Sequence, residues 1–147
     1  MHGSLDKLNL RIVVRGDLQN KELVGDTWSP TAFMRNLICF LADATKHKAR
    51  VHQLDFIGAF LLAKVKNRAF VKLDIRYTDY FLEYAKNFGR ALRLLKSMYG
   101  MNNTGKLFSD ELTEWLLEAG FIQSQCQMSI YYKYAPYGSM FFPILCL

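Results

Sequence analysis

The decapeptide His52-Gln53-Leu54-Asp55-Phe56-Ile57-Gly58-Ala59-Phe60-Leu61 decides how the rest of the chain is read. Residues 50–56 predict a β-strand, and Gly58 breaks it. Asp55 is the lone acid between Val51 and Phe60. Burying a carboxylate costs several kcal/mol unless a cation or hydrogen-bond donors compensate, so an acid at a strand end is often a ligand for a metal or a substrate. The alternative is local: Asp55 caps the turn at Gly58. Spacing alone leaves both readings open.

On the N-terminal side, residues 10–14 predict a strand, followed by a polar turn through Gly16-Asp17 and Asn20. Ser29-Pro30 then opens a helix running to about residue 47, because Ser is a preferred N-cap and Pro is tolerated at the first helical position. On the C-terminal side, residues 68–73 and 90–95 predict strands, with a short helix over residues 78–87 between them. A longer amphipathic helix starts at Asn103 or Thr104. Leu107, Phe108, Leu112, Trp115, Leu116 and Ala119 form its apolar face; Glu111, Glu114 and Glu118 form the other, and Gly120 closes it. A hairpin over residues 130–147 ends the sequence, with Pro143 weakening its last strand or placing it at an edge. Strands and helices mix without regular alternation, which gives an α+β class with a mainly antiparallel sheet packed on helices.

The 147 residues are enough for one domain, and 51% apolar with 14% aromatic composition excludes a disordered tail. Uncharged runs reach only about 14 residues, short of the roughly 18–20 that a membrane-spanning helix needs. No secretory leader is visible, and three widely spaced cysteines (Cys39, Cys126, Cys146) point to a reducing intracellular setting. The net charge of +6 is uneven: residues 64–106 carry +7 and residues 107–147 carry −3. A basic segment with interleaved aromatics suits a nucleic-acid partner, and equally a solvated basic face over core aromatics. Nucleophile elbows, phosphate-binding Gly-rich loops and zinc-binding His motifs are missing from the sequence. His47 and His52 lack a clustered third ligand and read as surface residues.

The decapeptide resembles the first catalytic block of copia-type retrotransposon reverse transcriptases, typically His-Gln-Met-Asp-Val-Lys-Thr-Ala-Phe-Leu. Four further matches follow the family's order. They are Arg11-Ile12-Val13-Val14-Arg15-Gly16; Asp26-Thr27-Trp28-Ser29-Pro30; Leu94-Leu95-Lys96-Ser97-Met98-Tyr99-Gly100-Met101-Asn102-Asn103; and Glu114 to Phe121. The resemblance implies an incomplete fingers–palm fold in one partial domain over residues 1–147. About residues 1–50 would be fingers-like, and about residues 51–147 palm with inserted fingers elements.

The resemblance also implies a chemistry: RNA-directed DNA synthesis by two-metal nucleotidyl transfer from dNTPs to a primer 3′-hydroxyl. Asp55 would bind Mg²⁺ (or Mn²⁺), with the backbone carbonyl of Phe56 as an extra ligand. Phe60 would carry the incoming sugar, with Phe56 and Ile57 beside it. Arg11 and Arg15 would hold the triphosphate, and Tyr99-Gly100 would lie against the template–nucleotide pair. Implied partners are an RNA template, a DNA primer, dNTP and the remainder of a gag-pol-type polyprotein, in a cytoplasmic particle or the nucleus, with no membrane.

Departures from the family pattern matter as much. Met101-Asn102-Asn103-Thr104-Gly105-Lys106 stands where Leu-Lys-Gln-Ala/Ser-Pro-Arg is usual, and Asp17 stands where an aromatic is usual. The second carboxylate pair, Tyr-x-Asp-Asp, would follow the strand over residues 140–147 and is not among the 147 residues; thumb and ribonuclease H segments are likewise expected to be absent. The chain alone is therefore expected to be inactive, and the rival reading is a non-catalytic nucleic-acid-binding remnant of a transposable element.

Overall fold

The computed structural model describes residues 11–72, 91–134 and 141–146. The helix expected over residues 78–87 and the turn at Pro136-Tyr137-Gly138 lie outside the described residues.

The long helix predicted near the middle of the chain is the organising element, α4 (Thr104–Glu118). It starts where expected, and Gly120 takes the left-handed conformation (φ 83°) that a C-terminal cap requires. Thr104 fixes its first turn: the buried hydroxyl reaches the carbonyls of Met98 and Met101, 3.0 Å each. Among the described residues four shorter helical segments precede it: a 3-10 turn over Gly16–Leu18, α1 (Lys21–Val24), α2 (Met34–Lys46) and α3 (Ala59–Leu62).

Two antiparallel sheets flank α4. In the first, β1 (Lys64–Lys72) pairs with β2 (Ala91–Lys96) in the register Phe70 to Arg93. In the second, β3 (Ile122–Gln123), β4 (Ile130–Tyr134) and β5 (Phe141–Leu145) lie in that order. Pro143 sits in β5, an outer strand of this sheet opposite Tyr132, where its missing N–H costs least.

The carboxylates of α4 do not all face water. Glu111 is only 6% exposed and accepts the backbone N–H of Lys64 at 3.4 Å. Its second oxygen lies 3.7 Å from the Lys64 ammonium, and Glu114 pairs with Lys66 at 2.7 Å. The cause is the start of β1, whose Lys64 and Lys66 set two cations against the helix. On the other side Tyr131, 2% exposed, shares its hydroxyl with Thr113 (2.7 Å) and accepts from Gln123 Nε2 (3.0 Å). The helix is thus fastened to each sheet by polar side chains as well as by packing.

Three expectations need correction. The strand expected over residues 10–14 does not form over its described part, residues 11–14; Val14 N–H bonds to Tyr99 O at 2.8 Å, but no ladder follows. Residues 50–56 form no strand either and are exposed. Both segments are extended chain without a neighbouring strand among the described residues, and a strand exists only through its ladder. The second helix begins at Met34 rather than at Pro30: Phe33 is its N-cap and its carbonyl accepts the N–H of Asn36 at 2.8 Å. Ser29 is used elsewhere, its hydroxyl resting against Gly105 in the first turn of α4, while Thr31 O accepts from Gln127 Nε2 at 3.5 Å. Tertiary contacts override the capping signal.

Candidate functional site

Asp55 lies on the exposed extended segment before α3. It does not cap the turn at Gly58: that turn is closed by the backbone, Ala59 N–H to Phe56 O at 3.2 Å, with Gly58 in the left-handed region (φ 67°). Among the described residues its carboxylate makes no hydrogen bond or ion pair. No group of three or more His, Cys, Asp or Glu side chains could hold a metal among the described residues. Among the described residues Asp55 is thus a single acid with no further carboxylate grouped around it. The Phe56 carbonyl is partly committed to the turn.

Downstream of Asp55 the structure gathers residues from three separate blocks. Phe56 and Phe60 both approach Phe108 of α4 edge-on, with ring centroids 5.6 and 6.5 Å apart. Phe60 also meets Tyr99 edge-on at 6.1 Å, and the Arg11 guanidinium sits over the Tyr99 ring at 4.7 Å. Such ring pairs add to simple area burial, and a guanidinium over an aromatic face is attracted by its quadrupole. Ser97 holds the arrangement from behind: its hydroxyl donates to Phe60 O and its N–H to Ala63 O at 2.8 Å. Four of the predicted site residues, Arg11, Phe56, Phe60 and Tyr99, are thus linked in one cluster through Phe108, and Asp55 adjoins it as the chain neighbour of Phe56. Ile57 is 95% exposed and stands outside it. Phe108 completes the cluster; its helical spacing marks it only as an apolar residue of α4.

Arg15 goes elsewhere. Its Nη2 and Nε bond to the two Asp17 carboxylate oxygens at 2.5 and 3.2 Å. The hydrogen bond to Asp17 raises the Arg15 pKa, and the same bond holds the Asp17 carboxyl below its usual range. Between them, Gly16 is pressed against Gly100: a β-carbon on either would run into the backbone of the facing segment. Asn102 locks this contact, its backbone N–H donating to Gln19 Oε1 (3.0 Å) and its side chain to Gly16 O (2.9 Å). Sequence reading marks Asn102 only as a departure from the family pattern; its role as a latch was not foreseen, and only its position next to Gly100 hints at it.

A family model described as "Reverse transcriptase (RNA-dependent DNA polymerase)" matches residues 5–144. The chain belongs to the reverse transcriptase family. This reverse transcriptase domain is similar to two curated proteins of Arabidopsis thaliana, the retrovirus-related Pol polyproteins from transposons RE2 and RE1. Each is 25% identical over 130 residues, or 88% of this chain. The reverse transcriptase domain spans only 9% and 8% of those relatives. They agree with the copia-type blocks read from the sequence. No solved structure matches the chain. Among the described residues no helix is long and apolar enough to cross a membrane.

Proposed function

We propose that the chain supplies the nucleotide-handling portion of a copia-type reverse transcriptase, whose reaction is transfer of a nucleotidyl group from a dNTP to a primer 3′-hydroxyl on an RNA template. The observation that carries this reading is the linkage of Arg11, Tyr99, Phe60 and Phe56 through Phe108, with the exposed Asp55 as the chain neighbour of Phe56. In it Phe60 is the platform for the incoming sugar, and its bulk excludes a ribose 2′-hydroxyl. Arg11 and Arg15 provide guanidinium forks for phosphate oxygens. Tyr99-Gly100 bears on the base pair being formed. Asp55 is one Mg²⁺ or Mn²⁺ ligand, and the bound metal would activate the attacking hydroxyl. Further carboxylates are required, because a single acid does not hold two divalent ions against their repulsion, and none is grouped with Asp55 among the described residues.

The experiment is primer extension on an RNA template with Mg²⁺ and dNTPs. The 147-residue chain is expected to give none. A longer polypeptide that adds an Asp-Asp-bearing segment is expected to extend the primer, and Asp55→Asn in it to abolish extension. In that longer form Phe60→Ala should admit ribonucleotides. Extension by the longer form that survives Asp55→Asn would remove the assignment. Extension by the short chain would remove the claim that it is inactive alone.

A further inference from the structure

A cleft of about 300 Å³ opens between residues 14–19 and the β1–β2 hairpin, lined by Val14, Leu18, Ala69 and Leu94 and by two cations, Arg15 and Lys72. The two cations are not equivalent. Lys72 forms no ion pair among the described residues. Arg15 is gripped along its Nε–Nη2 edge by both oxygens of Asp17, which leaves Nη1 as its uncommitted nitrogen.

The grip is not a chance meeting of two surface side chains. Arg15 and Asp17 flank Gly16, whose backbone is fixed from three directions. Its N–H bonds to Val14 O at 3.1 Å, its carbonyl accepts from Asn102 at 2.9 Å, and the Gly100 backbone abuts its α-carbon. Only side-chain torsions remain to be ordered, so the pair loses less freedom than an ordinary exposed one. A guanidinium recognises carboxylate and phosphate with one geometry, so the Asp17 carboxylate takes one of the two edges through which Arg15 can hold a phosphate and offsets its charge.

We propose that Asp17 is an internal competitor for Arg15, setting how tightly this cleft holds a polyphosphate and keeping that affinity below what Arg15 and Lys72 would otherwise reach. The inference rests on the reading of Arg15 as a phosphate-binding residue. It adds a residue that tunes the site from within the same turn.

The test titrates inorganic tripolyphosphate into the full 147-residue chain and into Asp17→Asn, Arg15→Gln and the double variant, at low salt, by calorimetry. Both substitutions fall on exposed side chains and Asp17→Asn is near-isosteric, so the fold is expected to tolerate them. Asp17→Asn should bind roughly two- to five-fold tighter than the parent, the range that an exposed ion pair allows, and the gain should shrink as salt rises. In the Arg15→Gln background the same change should have almost no effect. An equal gain in both backgrounds would mean a general charge effect and overturn the proposal. If Arg15→Gln weakens binding while Asp17→Asn gains nothing, the competition is refuted and the phosphate role of Arg15 stands. If Arg15→Gln leaves binding unchanged with either residue at position 17, both readings fall.

Discussion

Gly16 and Gly100 meet backbone to backbone, and Gly100 does so at φ 90°, a conformation that residues with a β-carbon rarely adopt. Gly100→Ala meets strain and collision together, and is expected to cost about 1–3 kcal/mol, read as a lower melting temperature. It should also disturb the Arg11–Tyr99 stacking, because Tyr99 is its neighbour. At this scale the structure brings Arg11, Phe56, Phe60 and Tyr99 from separate sequence blocks into one aromatic cluster, while Arg15, Ile57 and Gly100 lie outside it. What the sequence hid were residues whose importance lies in a partner far along the chain. Phe108 follows ordinary helical periodicity, and nothing local says that its ring reaches Phe56 and Phe60. Asn102 bonds across more than eighty positions to Gly16 and Gln19.

Elements differ in how far they could be read, for a physical reason. The α4 helix satisfies its backbone internally, so its 3.6-residue pattern and closing glycine suffice to place it. The segments over residues 10–14 and 50–56 have strand-like composition, but a strand is defined by a neighbour, and composition does not supply one. The contact between α4 and the second sheet yields a pH prediction. Burial raises the Tyr131 pKa, partly offset by its hydrogen bonds to Thr113 and Gln123. A raised folded pKa means that the neutral phenol's contribution is complete below the ordinary tyrosine pKa and disappears as pH rises through the folded value. Stability to urea should therefore fall above about pH 10, and Tyr131→Phe should flatten that decline. The same variant should lose about 1 kcal/mol at neutral pH from the missing hydroxyl. Burial also raises the Cys146 thiol, which acts with the same sign; the comparison is cleanest in a Cys146→Ala background. An alkaline decline unchanged by Tyr131→Phe would assign it to another group.

At the scale of the whole chain, the apolar surface is the dominant fact. Ile12, Leu18, Leu23, Met34, Ile38, Leu54 and Ile57 are among its exposed large apolar residues. Surface of this kind calls for a cover. The isolated chain is expected to bind a hydrophobic dye strongly and to sediment as mixed oligomers. A single 17.1 kDa species without dye binding, seen by analytical ultracentrifugation, would contradict this.

The position of α4 between the two sheets has a consequence for how the molecule comes apart. Among the described residues the first sheet docks on α4 through β1 and the second through β3, and the sheets have no comparable contact with each other. Such a layout has no redundancy. Fraying of α4 uncouples both sheets at once, and repair of either joint alone does not restore the other. Coupling between the two described sheets is therefore expected to run through α4.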